Sequence, residues 1–137
     1  MTITWQPEWF THISIIDHQH LEWLGHLDNL LEAEKLQNKV ASSLLLDLFI
    51  NFGKKHFETE EKYMREAEYP GYERHRAIHF EIMKRLVALR TSDNLTVDLL
   101  QVVLDWLSVH MKGEDTEMAA FLRDSNYLNY LQSTKEQ

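Results

Sequence analysis

The chain has 137 residues, with 14 Lys and Arg against 22 Asp and Glu, for a formal charge of −8 with histidine neutral. That length fits one domain, residues 1–137, around a single core, and the acidic balance excludes nucleic-acid binding through a basic footprint. Cysteine is absent while 8 histidines are present, so disulfides, thiolate metal sites and cysteine nucleophiles are excluded, and any metal chemistry must use imidazole nitrogen and carboxylate oxygen.

Only 4 Gly and 2 Pro occur, and apolar residues recur at intervals of three and four, so the periodicity is helical and no strand pattern is found. The expected fold is all-α: an up-down-up-down antiparallel four-helix bundle with an N-terminal arm and a short C-terminal helix. The arm, about 1–16, carries Trp5, Pro7, Trp9 and Phe10 and is too aromatic for a free tail. It has no Lys or Arg and does not read as a signal peptide.

The bundle is expected over about 17–122. Asp17 is the N-cap candidate of a first helix reaching about residue 35, with Leu24, Leu27 and Leu31 on one face. A second runs from about residue 39 into the 60s through Leu45, Leu48, Phe49 and Phe52, and must stop near Tyr69-Pro70-Gly71. The third, about 72–90, turns Ile82, Leu86 and Leu89 inward. The fourth starts near Thr96, an N-cap candidate, presents Leu99, Val103 and Trp106, and weakens at Gly113. The final stretch, about 123–137, is expected to dock through Tyr127, Leu128, Tyr130 and Leu131. The most apolar windows, 43–52 and 95–109, are broken by Asp47, Asp98 and Asp105, so no membrane insertion is expected. A cytoplasmic location follows as the default, and with no clear exposed apolar stripe a monomer is expected.

The core stripes include histidine. His20 begins the first stripe, His56 and Glu60 close the second as an i,i+4 pair, His75 and His79 open the third, and His110 closes the fourth. In an antiparallel bundle those four helix ends lie at one level, so five imidazoles converge. Buried imidazoles without partners would each cost about 1–3 kcal/mol, and metal coordination satisfies the set together. Glu60 can reach the same metal. The fourth helix offers Glu114 or Asp115: simple helical spacing favours Glu114, and a bend at Gly113 would turn Asp115 inward. Five histidines and two carboxylates exceed one tetrahedral zinc, and two adjacent ions, iron being the natural candidate, fit better. No Glu stands three residues before a His, and the His-Glu-x-x-His signature is missing. His12, His18 and His26 lie off the stripes. Glu61 is expected to pair with Arg65 on a solvated face.

The segments Ile16 to His20 (I-D-x-Q-H), His56 to Met64 (H-F-x-x-E-E-x-x-M), Tyr69-Pro70 followed by His75 and His79, and Trp106-Leu107 followed by His110 and Asp115 resemble hemerythrin, in its single-domain bacterial form. The resemblance spans Trp5 to about Leu122. It implies two Fe ions per chain, one held by His75, His79 and His110 and the other by His20 and His56, bridged by Glu60, Asp115 and an oxo or hydroxo group. It thus selects Asp115 over Glu114. It also implies reversible O2 binding at the open position of the two-histidine iron, for oxygen storage, transport or delivery to an oxygen-consuming enzyme, with a reductase as a further partner. Trp23, Phe57, Trp106, Leu107 and Met111 flank the ligands and are expected to form a dry O2 pocket. No general acid–base residue beyond the ligands is evident, so a binding protein is expected rather than an enzyme. The competing readings are a di-iron O2 or redox sensor acting in trans, and an enzyme reacting with peroxide or nitric oxide.

Overall fold

The computed structural model describes residues 5–125. Its helices are α1 (Ser14–Lys35), α2 (Lys39–Glu66), α3 (Tyr72–Ala88), α4 (Leu95–Asp105) and α5 (Thr116–Asp124), and among the described residues there is no strand. A π-helical stretch, Trp106–Asp115, joins α4 to α5 without a break, so the three pieces make one long fourth rod. Around the bundle α1 packs on α2, α2 on α3, α3 on α4 and α4 back on α1, as short loops require of antiparallel neighbours. No helix among the described residues is long and apolar enough to cross a membrane.

The ends of the helices follow local chemistry that differs in places from the expected pattern. Asp17 does not cap α1, which begins three residues earlier; its carboxylate instead accepts from the Thr11 N–H (2.8 Å), the Thr11 hydroxyl (2.7 Å) and the His12 N–H (3.0 Å). Asp17 therefore ties the arm to the first turn of α1. Asn94, rather than Thr96, caps α4 by accepting from the Val97 N–H, and the Thr96 hydroxyl donates to Glu34. Asn38 caps α2.

Two helices close by the same device. Gln37 (φ 55°) and Glu68 (φ 56°) take the left-handed conformation, and behind them the Asn38 N–H reaches the Ala33 carbonyl and the Tyr69 N–H the Met64 carbonyl. That closure stops α2 at Glu66, ahead of Pro70 and Gly71. Gly113 does not weaken the fourth rod: it sits inside the π stretch, and the helix runs on to Asp124.

The buried faces match expectation for α1, for α3 with the 3-10 turn that follows it, and for α4 with the start of the π stretch, where Leu24, Leu27, Leu31, Ile82, Leu86, Leu89, Leu99, Val103 and Trp106 are all buried. On α2 the core face is rotated toward Leu46, Phe49, Ile50 and Gly53, leaving Leu48 exposed. Leu48 joins Leu44 and Val40 at i,i+4 spacing on the outer side of α2, a row of exposed apolar residues that the pattern did not predict. In the arm, Trp9 is buried and Trp5 packs edge-on against it at 5.5 Å, both against the main core. The expected docking of Tyr127, Leu128, Tyr130 and Leu131 lies outside the described residues.

Two apolar clusters stand one above the other among the described residues. The larger contains Trp23, Phe57, Ile82 and Met111; the smaller contains Ile16, Met64 and Met118, with Tyr72 packed against it. Following each rod from the smaller cluster to the larger passes Ile16 to Trp23, Met64 to Phe57, Tyr72 to Ile82 and Met118 to Met111. What lies between them is the polar layer.

Candidate metal centre

The polar layer consists of His20 on α1, His56 and Glu60 on α2, His75 and His79 on α3, and His110 and Asp115 on the π stretch, all of them buried. On α2 the pair His56 and Glu60 stacks because i and i+4 share a face of an α-helix. His110 and Asp115 are five apart, and they meet because a π-helix closes each turn one residue later than an α-helix. The His110 Nε2 lies 3.0 Å from the Asp115 Oδ1. Glu114 faces the other way and accepts from Arg74 at 2.8 Å. The preference of simple helical spacing for Glu114 fails because that segment is not wound as an α-helix.

Donor atoms fall into two overlapping groups, Glu60, His75, His79, His110 and Asp115 in one and His20, His56, Glu60 and Asp115 in the other, each with ligand atoms within 4.8 Å of one another. Each carboxylate divides its oxygens between them. Glu60 turns Oε2 to His56 Nε2 (3.1 Å) and His20 Nε2 (3.6 Å), and Oε1 to His79 Nε2 (3.0 Å) and His75 Nε2 (3.5 Å). Asp115 turns Oδ2 to His20 Nε2 (3.3 Å) and Oδ1 to His75 Nε2 (3.0 Å).

Despite these approaches, the Nε2 atoms of His20, His56 and His75 and all four carboxylate oxygens lack a hydrogen-bond partner among the described residues. Buried polar atoms in native proteins are nearly always satisfied, and seven left open around one centre call for a cation. Two donors at right angles, each about 2.1 Å from one ion, stand about 3.0 Å apart, which is the spacing found here. The residues fit a metal.

The electrostatics point the same way. Burial works to lower the pKa of His20, but contact with Asp115 and Glu60 outweighs it and pushes it up to about 9. The same balance pushes His75 up to about 10 and raises His79, where Glu60 and Glu61 outweigh burial. His56 is lowered, by burial and by repulsion from His20, which its attraction to Glu60 does not offset. Burial works to raise the carboxyl pKa values of Glu60 and Asp115, and Glu60 also raises that of Asp115, yet the surrounding imidazoles hold both well below the usual range. Two buried anions thus demand positive charge, which protons or metal cations can supply.

Aromatic rings wall the layer. Phe57 stacks on His79 at 3.9 Å and 13°, Trp106 stands edge-on to His20 at 5.7 Å, and Trp23 lies 5.8 Å from His56. Leu107 and Met111 are buried in the same apolar cluster. Trp5, from the arm, lies 6.3 Å from His20; sequence reasoning placed it on the bundle but not at the site. His12 and His18 are exposed, and half-buried His26 packs against Phe52 instead. Glu61 does not pair with Arg65: its Oε2 meets His79 Nδ1 at 3.0 Å, and its Oε1 lies 3.7 Å from Arg76. Gln19 was also missed in this role, and accepts from His56 Nδ1 at 2.8 Å. The signals available were adjacency alone, Gln19 beside His20 and Glu61 beside Glu60.

The model of the hemerythrin HHE cation-binding domain matches residues 11–122. The chain belongs to the hemerythrin family. Hemerythrin relatives include the bacteriohemerythrin of Stenotrophomonas maltophilia, 27% identical over 121 residues that cover 85% of this chain and 79% of that protein. The bacteriohemerythrin of Pseudomonas aeruginosa is 24% identical over 127 residues, covering 90% and 83%. That of Campylobacter jejuni is 27% identical over 117 residues, covering 80% and 87%. Within the hemerythrin domain matched here lie all seven donors of the buried cluster.

Proposed function

We propose that this chain binds O2 reversibly at a pair of non-haem iron ions, for oxygen storage, transport or delivery to an oxygen-consuming enzyme. The observation that carries the reading is the division of each carboxylate: Glu60 and Asp115 each aim one oxygen at the His20 side and the other at the His75 side. A carboxylate so divided would serve two cations, one on each side, rather than one. His75, His79 and His110 would hold one iron and His20 and His56 the other, with Glu60, Asp115 and an oxo or hydroxo group between them. The group of fewer histidines leaves room for a ligand.

When bound, the iron pair supplies the electrons that capture dioxygen. The chain's part is to hold those ions with neutral imidazoles and anionic carboxylates, and to keep water away. Trp23, Phe57, Trp106, Leu107 and Met111 form the dry wall, which disfavours charge separation and so favours release of the gas unchanged. We place the protein in the cytoplasm, re-reduced after any oxidation by a reductase. It acts as a carrier and not as an enzyme.

The test is to load the protein with ferrous iron, measure metal per chain, titrate with O2 under absorption spectroscopy and time the decay of the oxygenated form. Two irons, reversible deoxygenation and slow autoxidation are expected. Conversion to the oxidised form within seconds would favour sensing or redox chemistry, and one zinc per chain would overturn the reading.

A further inference from the structure

An imidazole that offers Nε2 to a metal has Nδ1 left over, and what Nδ1 meets decides the ring's tautomer and donor strength. Of the five imidazoles in the layer, His20, His75 and His110 have no Nδ1 partner among the described residues. His56 and His79 have one each, and they belong to opposite donor groups. Their partners differ in charge.

Behind His56 stands Gln19, whose Oε1 accepts at 2.8 Å. Its orientation is fixed by a relay: the Thr59 hydroxyl donates to the Lys55 carbonyl at 3.0 Å, which leaves an oxygen lone pair to accept from the Gln19 Nε2 at 3.3 Å. The amide oxygen must then face His56, and His56 Nδ1 must carry the proton. Behind His79 stands Glu61 at 3.0 Å, a carboxylate that only accepts when ionised, so His79 Nδ1 also carries its proton. Both rings are left with an Nε2 lone pair directed at the cluster.

We propose that Gln19 and Glu61 are positioning residues of unequal charge that add to the inequivalence already set by three histidines on one side and two on the other, the position on the His79 side better holding the higher oxidation state. A carboxylate draws the Nδ1 proton toward itself and makes the ring a stronger donor, and a neutral amide does so less. The inference rests on the di-iron reading above.

The experiment uses the 57Fe-loaded protein in a mediated spectroelectrochemical titration, each iron taking one electron from the electrode between ferric and ferrous, with Mössbauer spectra at each stage. Glu61→Gln keeps the shape and the acceptor but removes the charge; it is expected to raise the reduction potential and narrow the difference between the two Mössbauer doublets. Gln19→Glu is expected to lower the potential. Wild-type protein holding fewer than two irons per chain would overturn the underlying reading. Two irons with potentials and doublets unchanged in both variants would overturn this inference alone.

Discussion

Adjacent carboxylates can stand in opposite environments. Asp115 is fully buried with both oxygens among imidazoles, while Glu114 reaches a surface arginine, Arg74, that is 76% exposed. Asp115→Ala is expected to bring iron below two per chain and abolish the absorption band of the oxygenated form. Glu114→Ala is expected to keep both and to cost under about 1 kcal/mol, since exposed pairs contribute little. Metal analysis and spectroscopy of the two variants decide it, and the reverse pattern would sink the assignment. Gly53 presents another residue-level constraint. A Cβ there would lie 2.4 Å from Trp23, whose indole is fixed by a 3.0 Å bond from Nε1 to the Phe49 carbonyl and by Trp106 at 4.5 Å. Gly53→Ala is expected to cost on the order of 1–3 kcal/mol through overpacking, measured as a lower urea midpoint. Nothing in the sequence marked this glycine, because its role depends on which α1 side chain crosses it.

At the level of elements, the left-handed residue that ends α2 is open to improvement. Glu68 adopts φ 56° with a Cβ that disfavours it, whereas glycine takes that conformation without steric cost. Glu68→Gly is expected to stabilise the protein by about 0.5–1 kcal/mol, read as a higher unfolding midpoint. A lower midpoint would show that Glu68 contributes contacts outweighing its backbone strain. The four rods were legible because apolar spacing survives tertiary packing, and the start of α2 at Lys39 agreed with its pattern. Caps were less legible. Asp17 has the chemistry of an N-cap, but Thr11 and His12 claim its oxygens from the arm side. The π winding was not legible at all, because a period read at 3.6 residues assigns Asp115 to the wrong face.

For the whole molecule, the polar layer is held between two apolar clusters, so its charge balance bears on the stability of the entire bundle. Metal bound only by the folded state stabilises it by about 2.7 kcal/mol at a free concentration 100 times Kd. Stripping iron with a chelator is therefore expected to lower the calorimetric midpoint by several degrees, and an unchanged midpoint would contradict the buried site as the place of binding. The convergence of His20, His56, His75, His79 and His110 was legible in sequence because antiparallel connectivity alone brings those helix ends to one level. Gln19 and Glu61 were not legible as partners of His56 and His79. Those pairings cross between helices 37 and 18 residues apart, and they depend on the rotation of each rod about its axis.

The π stretch also bears on how this chain can vary in length. A turn wound i to i+5 takes in one residue more than an α turn, so Trp106–Asp115 contains slack that no α rod possesses. Loss of one residue between His56 and Glu60 would swing everything beyond it to a new face and separate the carboxylate from the histidine. Loss of one residue between His110 and Asp115 would instead tighten the segment into an α-helix, with the histidine and carboxylate four apart, the spacing already used by His56 and Glu60. Among the described helices, the one carrying Asp115 can absorb a single-codon deletion beside the metal centre and still direct both groups inward.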